Sequence, residues 1–475
     1  MKRTKIIITL GPATETPEII EKLIHAGVNV FRFNLKHNDY QWHGDKIALV
    51  REIAKKSNTE VAIFADLQGP ELRIGNFPTG IEKMNLEEGQ TVYLTPRNIP
   101  GEICIPFRDV NLISGIERGN KILIDDGNVE LDFQSKTANY IKTIVIEGGE
   151  LGPRKSVSIP DATINVPTLL EKDIKDIEFV TKNSVDFIAL SFVRDEHDIT
   201  TLRAAIKAHG GDQKIIAKIE TLKSVNNIHE IISASDAIMV ARGDLGVEIP
   251  YEKVPKIQEM IITECRKHYK PVIVATQMLM SMIKNPLPSR AEVADIAHAV
   301  IQKTDCLMLS DETTIGDHPV KAVTVMAKIA RFNDSHDFGV NTSRIDFDSD
   351  TYEEMVIAAS VRLSREKPNN EKSEIKGYIV FTESGKSARV LSRFRSNLPV
   401  YAFTSHHSVA RRLNMSYGIT PFHMKLHKNP VNNIKEALST LKKRNLIDAG
   451  NRMIVIFGQN VGELESNNTV SIVQA

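Results

Sequence analysis

Lys218 and Glu220 stand two residues apart in an apolar run, so both project to one face of an extended strand. Asp244 follows in Ala241-Arg242-Gly243-Asp244-Leu245-Gly246, flanked by two glycines. Two carboxylates from adjacent strands, with other positions left to substrate oxygens and water, make a donor set that suits Mg²⁺. Lys218 beside them serves equally as a rim ion pair with Glu220 or as a charge for an anion. Gly243 lets a ligand approach the backbone, and successive N–H groups there can hold an anion; a tight turn asks for the same glycine. Arg32 and Asn34 share a strand face in the run 29–35. An arginine on an internal strand is costly unless paired, and its fork suits a phosphate. Arg73 and Arg154-Lys155 add cations that either reach a phosphate or are solvated surface. This chemistry fits a highly charged substrate and a divalent metal.

Such residues must be held at one end of a set of strands. Eight apolar runs of strand length supply them: 5–10, 29–35, 61–67, 186–192, 214–220, 237–242, 271–277 and 306–312. They are rich in Ile, Val, Phe and Met, as strands buried on both faces are, and amphipathic stretches of helical period follow most of them. Eight strand-then-helix units predict an α/β fold of the (β/α)8 TIM-barrel type, with its active site at the C-terminal strand ends. Those ends read Thr9-Leu10-Gly11-Pro12, Arg32-Phe33-Asn34, Asp66, Ser191-Phe192-Val193-Arg194, Lys218-Ile219-Glu220, Arg242-Gly243-Asp244, Thr276-Gln277 and Glu312.

A barrel takes about 250 residues, and the chain has 475. The strand spacing breaks once, between Leu67 and Asp186. The gap opens with Gln68-Gly69-Pro70 and carries β-patterned runs at 90–94, 121–124, 129–133 and 140–146. Residues 69–164 are therefore expected to be an inserted β-barrel lid domain on the catalytic face, with 1–68 and 165–340 forming the (β/α)8 barrel. Residues 333–349 are polar and Asp-rich and read as a linker. Residues 350–475 read as a C-terminal open α/β domain with strands at 377–382, 400–403, 453–457 and 470–473. Between them, 387–394 and 431–443 have helical character. Lys plus Arg equals Asp plus Glu at 60 each, so no charge excess points to nucleic acid or an anionic membrane. No apolar run reaches spanning length, and the basic start precedes a run too short for a signal peptide. Cys104, Cys265 and Cys306 are scattered, which fits a reducing cytoplasm.

The segments from Thr4-Lys5-Ile6 to Gly11-Pro12-Ala13, Arg32-Phe33-Asn34, Gly69-Pro70-Glu71-Leu72-Arg73, Asp125-Asp126-Gly127 and Glu171-Lys172-Asp173 resemble signatures of the pyruvate kinase family. So do Lys218-Ile219-Glu220, Met239 to Pro250 (MVARGDLGVEIP), Ala275-Thr276-Gln277-Met278 and Arg290-Ala291-Glu292-Val293. The resemblance covers nearly the whole chain. It implies a barrel, an inserted lid and a C-terminal regulatory α/β domain, commonly in a homotetramer. It also implies Mg²⁺-dependent phosphoryl transfer from phosphoenolpyruvate to ADP, giving pyruvate and ATP. By resemblance, Glu220 and Asp244 hold Mg²⁺, Arg32 grips the phosphoryl group, and Lys218 neutralises it in flight and stabilises the enolate. Gly243 and Asp244 N–H groups, with Thr276, hold the carboxylate; Thr276 also lies where the enolate is protonated. Pro12, Asn34, His37, Arg73 and Lys155 match nucleotide contacts. The family's K⁺ site takes the side chains of Asn34 and Asp66, the Leu67 carbonyl and a serine. Its sugar-phosphate or nucleotide effectors bind the loop that matches Thr382, Ser384, Lys386 and Ser387. A helix N-terminus with hydroxyls makes such a phosphate site. Glu383 adds like charge there, and an ordinary capped turn explains the same residues.

The chain departs from the family in three segments. Arg32-Phe33-Asn34-Leu35-Lys36-His37-Asn38 carries Lys36 where the family has the K⁺-site serine, and Asp66-Leu67-Gln68 replaces Asp-Thr-Lys. The ammonium of Lys36 is expected to take the K⁺ position and make the enzyme K⁺-independent; the alternative is a solvated Lys36 and a retained ion. After the eighth strand, Ser310-Asp311-Glu312-Thr313-Thr314-Ile315-Gly316 gains a carboxylate and loses a lysine. Two other readings compete with kinase chemistry. One is a related barrel lyase or aldolase, against which the lid insertion and Arg73/Lys155 argue. The other is a non-catalytic homologue acting as a ligand-binding regulator, against which the intact Arg32, Lys218, Glu220, Asp244 and Thr276 argue.

Overall fold

The computed structural model describes residues 2–160, 162–335, 347, 349–366, 374–458 and 467–475. Eight strands form a closed barrel: β1 (Lys5–Thr9), β2 (Val30–Asn34), β3 (Ala62–Asp66), β4 (Phe187–Leu190), β5 (Lys214–Ile219), β6 (Ala237–Ala241), β7 (Val272–Ala275) and β8 (Cys306–Leu309). Each pairs in parallel with the next, and β8 returns to β1. All eight lie within the apolar runs expected from sequence. The helix Pro17–Ala26 illustrates the alternating element. Thr16 caps it by accepting from Ile19 N, Gly27 ends it in a left-handed conformation, and Ile20, Leu23 and Ile24 face inward.

Side-chain parity decides what the barrel encloses. Ile7, Val30, Ala62, Phe64, Ala189, Ile216, Ala237, Met239, Ile273, Ala275, Cys306 and Met308 form an inner apolar cluster with Phe187 and Met415. Fully burying a large apolar side chain contributes about 1.5–3 kcal/mol. Continuing those rows towards the C-terminal ends brings Arg32 after Val30, Asp66 after Phe64 and Lys218 after Ile216 onto the same inward face. The barrel thus changes from packed apolar layers to charge as it opens.

Between β3 and β4 the chain forms a six-stranded sheet in the order Val157–Ser158, Lys121–Ile124, Val129–Lys136, Ile141–Glu147, Thr91–Thr95, Ile103–Pro106. Two two-stranded ribbons accompany it. The segment 72–75 bridges the two outer strands of this sheet: Val157 N donates to Leu72 O at 2.9 Å, Ile74 N to Lys155 O at 2.9 Å and Gly75 N to Pro106 O at 2.7 Å. After β8 the helix Pro319–Ser335 takes in Asn333–Ser335, which the sequence assigned to a linker; 336–346 and 348 of that linker lie outside the described residues. The C-terminal sheet has five strands, ordered Ile419–His423, Val400–Thr404, Ile375–Phe381, Arg452–Gly458, Asn467–Gln474, the last antiparallel. This module covers the base of the barrel: Arg395 pairs with Asp305 at 2.6 Å, and Tyr417 N donates to Asp305 Oδ1 at 2.8 Å. Among the described residues no helix is long and apolar enough to cross a membrane.

Candidate active site

Asp66, at the end of β3, gathers two cations. Arg32 donates to Asp66 Oδ2 from Nε at 2.8 Å and from Nη2 at 2.7 Å, and to Thr9 Oγ1 at 3.0 Å. Lys218 Nζ lies 3.5 Å from Asp66 Oδ1, 2.8 Å from Glu220 Oε1 and 2.8 Å from Ser191 Oγ. Glu220 Oε2 accepts from Phe192 N at 2.7 Å. The rim ion pair between Lys218 and Glu220 therefore forms, and it forms within a larger charged cluster. Burial would raise the Asp66 pKa, but Lys218 and Arg32 overcome it and hold the carboxyl below its ordinary value. Burial also opposes charge on Lys218, yet Asp66, Glu220 and Asp244 outweigh it and raise the ammonium above its ordinary value. Lys218 is a permanent cation in any physiological range.

The second half of the site lies at the ends of β6 and β7. The sequence suggested a turn for Gly243 and Asp244; they sit instead in the first turn of a short helix, Arg242–Glu248. Gly243 N donates to Thr276 Oγ1 at 2.8 Å, and Thr276 Oγ1 donates to Ala275 O at 2.6 Å. Thr276 and Gln277 have φ of 67° and 55°, and Phe192 at the end of β4 has 54°. Left-handed backbone at a residue other than glycine costs about 1–3 kcal/mol and persists only where neighbours over-determine it. Arg242 does so here. It donates to the Thr276 and Gln277 carbonyls at 2.8 and 3.2 Å and is clamped by Asp295 at 2.7 Å. A Cβ on Gly243 would meet Thr276 Oγ1 at 3.5 Å, an ordinary contact, so no protein neighbour demands glycine there. Gly69, at φ 68°, differs: its Cβ would fall 2.9 Å from Ser191 Cβ.

Glu220 and Asp244 both have raised pKa values. For Glu220, burial leads, and Asp244 adds to it against the pull of Lys218. For Asp244, burial again leads; Lys218 opposes it, while Asp126 and Glu71 reinforce it. Among the described residues the Asp244 carboxylate has no ion-pair partner, and no three His, Cys, Asp or Glu side chains cluster as a metal cage. Two carboxylates pushed up mainly by burial, with open space beside them, fit a hard cation that keeps its remaining positions for substrate oxygens. Asp66 Oδ1 is also a buried acceptor without a hydrogen bond. Asp244 lines two cavities. One, of about 560 Å³, lies between the inserted sheet and the barrel and includes Glu71, Ser156, Arg194 and Glu220. The other, of about 650 Å³, includes Arg242, Gly243, Thr276 and Gln277.

Family models described as "Pyruvate kinase, barrel domain" and "Pyruvate kinase, alpha/beta domain" match residues 1–323 and 369–473. The chain belongs to the pyruvate kinase family. It is accordingly a phosphotransferase. A protein named pyruvate kinase from Dictyostelium discoideum is 37% identical, over 99% of this chain and 94% of the relative. One from Sporosarcina psychrophila is 37% identical and one from Staphylococcus aureus strain MRSA252 is 36% identical, each over 99% of this chain and 80% of the relative.

Against the pyruvate kinase signatures, the structure unites Arg32, Asp66, Lys218 and Glu220 and joins Gly243 to Thr276. It leaves other candidates apart. Pro12, His37 and Arg73 are exposed, and none of Pro12, Asn34, His37, Arg73 and Lys155 lines either cavity. Arg73 pairs with Glu71 and donates to Arg154 O at 2.7 Å, and Lys155 pairs with Asp125 at 2.8 Å. Asn34 Oδ1 accepts from Lys36 N at 3.2 Å, while Leu67 O accepts from Ser191 Oγ at 3.1 Å. Lys36 Nζ meets Glu71 Oε2 at 2.6 Å, rather than the Asn34, Asp66 and Leu67 oxygens expected to surround it. A carboxylate within reach outcompetes neutral oxygens for an ammonium, and Asp66 is already engaged by Arg32 and Lys218.

Several strand-end residues turn out to be braces. Glu312 is buried and accepts from Leu279 N at 2.9 Å and Ser310 N at 2.8 Å; Asp311 beside it is exposed. Arg194 locks Asp198 and the Val166 carbonyl. Thr9, Ser191 and Glu71 stood in strand-end or signature segments of the sequence, but no role was given to them. The signal for Thr9 and Ser191 was position at a strand end, and for Glu71 its place in the Gly69–Arg73 signature. In the C-terminal loop, Thr382 Oγ1 accepts from Gly385 N at 3.0 Å and Ser384 Oγ from Lys386 N at 3.3 Å. Ser387 is buried between Glu353 and Asn467.

Proposed function

We propose that this member of the pyruvate kinase family moves the phosphoryl group of phosphoenolpyruvate to ADP, with Mg²⁺ and without K⁺. The observation that carries this reading is the convergence of Arg32 and Lys218 on Asp66, next to Glu220 and Asp244. Phosphoryl transfer asks for positioning and charge neutralisation more than covalent chemistry. Arg32 has two of its nitrogens fixed by Asp66 and one by Thr9, so its fork is preorganised for phosphoryl oxygens. Lys218, kept charged, balances the phosphoryl group as it leaves and then the enolate oxygen. It is no proton donor at neutral pH, which leaves protonation of the enolate carbon to water near Thr276. Gly243 and Asp244 N–H groups at the start of a helix would receive the substrate carboxylate, the Gly243 N–H exchanging its bond to Thr276 Oγ1 for one to the ligand. Glu220 and Asp244 would hold Mg²⁺, which when bound supplies positive charge to substrate oxygens. The inserted sheet would close over ADP and limit loss of the phosphoryl group to water.

The reading is tested by ATP formation from phosphoenolpyruvate and ADP with and without Mg²⁺. Activity that requires Mg²⁺ supports it; no ATP under either condition removes it. Gly243→Ala is expected to leave the unfolding temperature unchanged while raising the phosphoenolpyruvate KM by about tenfold or more, because the added methyl enters ligand space. An unchanged KM would show that the carboxylate binds elsewhere.

Lys36 carries the K⁺ part of the reading. Paired with Glu71, its ammonium would supply a positive charge beside the family's ion site rather than within it. In tetramethylammonium buffer the wild type is expected to run at the same rate with and without K⁺. Lys36→Ser is expected to lose about tenfold or more without K⁺ and to recover with it. A wild type that needs K⁺ would contradict this role for Lys36.

A further inference from the structure

A second charged cavity lies at the opposite end of the barrel, where the C-terminal module covers the strand starts. It measures about 190 Å³ and is lined by Phe187, Lys214, Asp236, Tyr269, Lys270, Pro271, Ser384, Arg389, Val409 and Arg412. Four cations face one carboxylate. That carboxylate is already committed: Arg203 pairs with Asp236 at 3.0 Å and Ile215 N donates to it at 2.9 Å, leaving Lys214 at 4.0 Å.

The cations are poorly compensated. Among the described residues no carboxylate pairs with Arg389, whose one side-chain hydrogen bond is to Ser384 O at 3.3 Å. Its guanidinium lies over Gly385, where a Cβ would be 2.8 Å from Nη1. Arg412 reaches the exposed Asp212 at 2.9 Å with one nitrogen, but its Nε is buried with no hydrogen-bond partner. Lys270 finds only carbonyls, Ser235 O at 2.6 Å and Ser233 O at 3.4 Å. Half-buried cations with so little opposing charge are costly, and a charge-assisted bond to an anion would offset that cost for several of them at once.

We infer that this cavity binds a phosphate group, free or on a small phosphorylated metabolite, at the joint between the barrel base and the C-terminal helices. The volume sets the ligand class. Sites for drug-sized molecules run from about 300 Å³, so this one takes a phosphate and a few further atoms and excludes an enclosed nucleotide. The guanidinium of Arg389 and the buried Nε of Arg412 come from the C-terminal module, while Lys214 and Lys270 come from the starts of β5 and β7. A bound phosphate would tie the module to strands whose far ends carry Lys218 and Thr276. The four cations are remote from the catalytic cluster, so the inference stands independently of the kinase reading.

The test is isothermal titration of the full chain with inorganic phosphate, glycerol 2-phosphate and a nucleoside monophosphate, accompanied by thermal unfolding. Active-site binding is removed separately with Arg32→Gln. Inorganic phosphate and glycerol 2-phosphate are expected to bind wild type and Arg32→Gln and to raise their unfolding temperatures. Arg389→Gln is expected to weaken that binding by about tenfold or more and to abolish the thermal shift, with the basal rate unchanged. Arg412→Gln, which keeps the cavity's shape, should act in the same direction and serves if Arg389→Gln misfolds. Retained binding in both arginine variants, or loss of all binding in Arg32→Gln, would overturn the inference. Binding of inorganic phosphate alone would point to the free anion, and equal or tighter binding of glycerol 2-phosphate to a phosphorylated metabolite. Preferential binding of the nucleotide through Arg389 would contradict the volume argument.

Discussion

Lys218→Met is expected to lower kcat by about 10²–10³-fold while leaving the KM for ADP nearly unchanged. Among the described residues the ammonium is the only group in contact with Asp66, Glu220 and Ser191 together. Removing it takes away the charge that faces the departing phosphoryl group and leaves two buried carboxylates with less compensation. Arg32 still holds Asp66, and Phe192 N still holds Glu220, so the barrel should fold. Breaking a buried pair by removing one partner nevertheless costs about 3–5 kcal/mol, and the variant should unfold at a lower temperature. Steady-state kinetics with a melting curve separates the two effects. A variant that kept wild-type kcat would remove Lys218 from the chemistry. A variant that lost activity only above its lowered melting temperature would make it structural.

Glu220→Gln should behave in the opposite way for stability. Without metal, burial and Asp244 raise the Glu220 pKa above its ordinary 4.5 despite Lys218. A carboxyl with a raised folded-state pKa contributes stability below its unfolded pKa and loses that contribution as pH rises through the folded value. Glutamine does not titrate. The metal-free variant is therefore expected to be more stable than metal-free wild type at about pH 8, with the gap closing near pH 4. The catalytic effect runs the other way: the Mg²⁺-dependent rate should fall by about hundredfold or more. Mg²⁺ should raise the unfolding temperature of wild type but not of the variant. Equal Mg²⁺ stabilisation of both would place the metal elsewhere.

The barrel was legible because strands buried on both faces read as unbroken apolar runs. Parity did further work: Arg32 with Asn34 and Lys218 with Glu220 were assigned to one face from spacing alone, and Lys218 and Glu220 meet at 2.8 Å. Elements that break these rules were missed. Ile419–His423 contains Pro421, which argues against a strand, yet it sits at the sheet's edge where one missing N–H is tolerated. The two-residue strands Val157–Ser158 and Thr163–Ile164 are too short to show alternation. Side-chain choices among competing partners were not legible either. Nothing in the local sequence says that Lys36 prefers Glu71, 35 residues on, to Asn34 two residues before it. Arg242 stood at a strand end beside Asp244 with no role assigned, and its role as a clamp appears only when the strained Thr276-Gln277 backbone is seen beside it.

The most direct measurement follows ³¹P resonances of phosphoenolpyruvate and ADP mixed with the purified chain and Mg²⁺ in tetramethylammonium buffer. Loss of the phosphoenolpyruvate signal matched one-for-one by ATP, without added K⁺, is the predicted result. An unchanged phosphoenolpyruvate signal with or without K⁺, or its conversion to inorganic phosphate with no ATP, would contradict it.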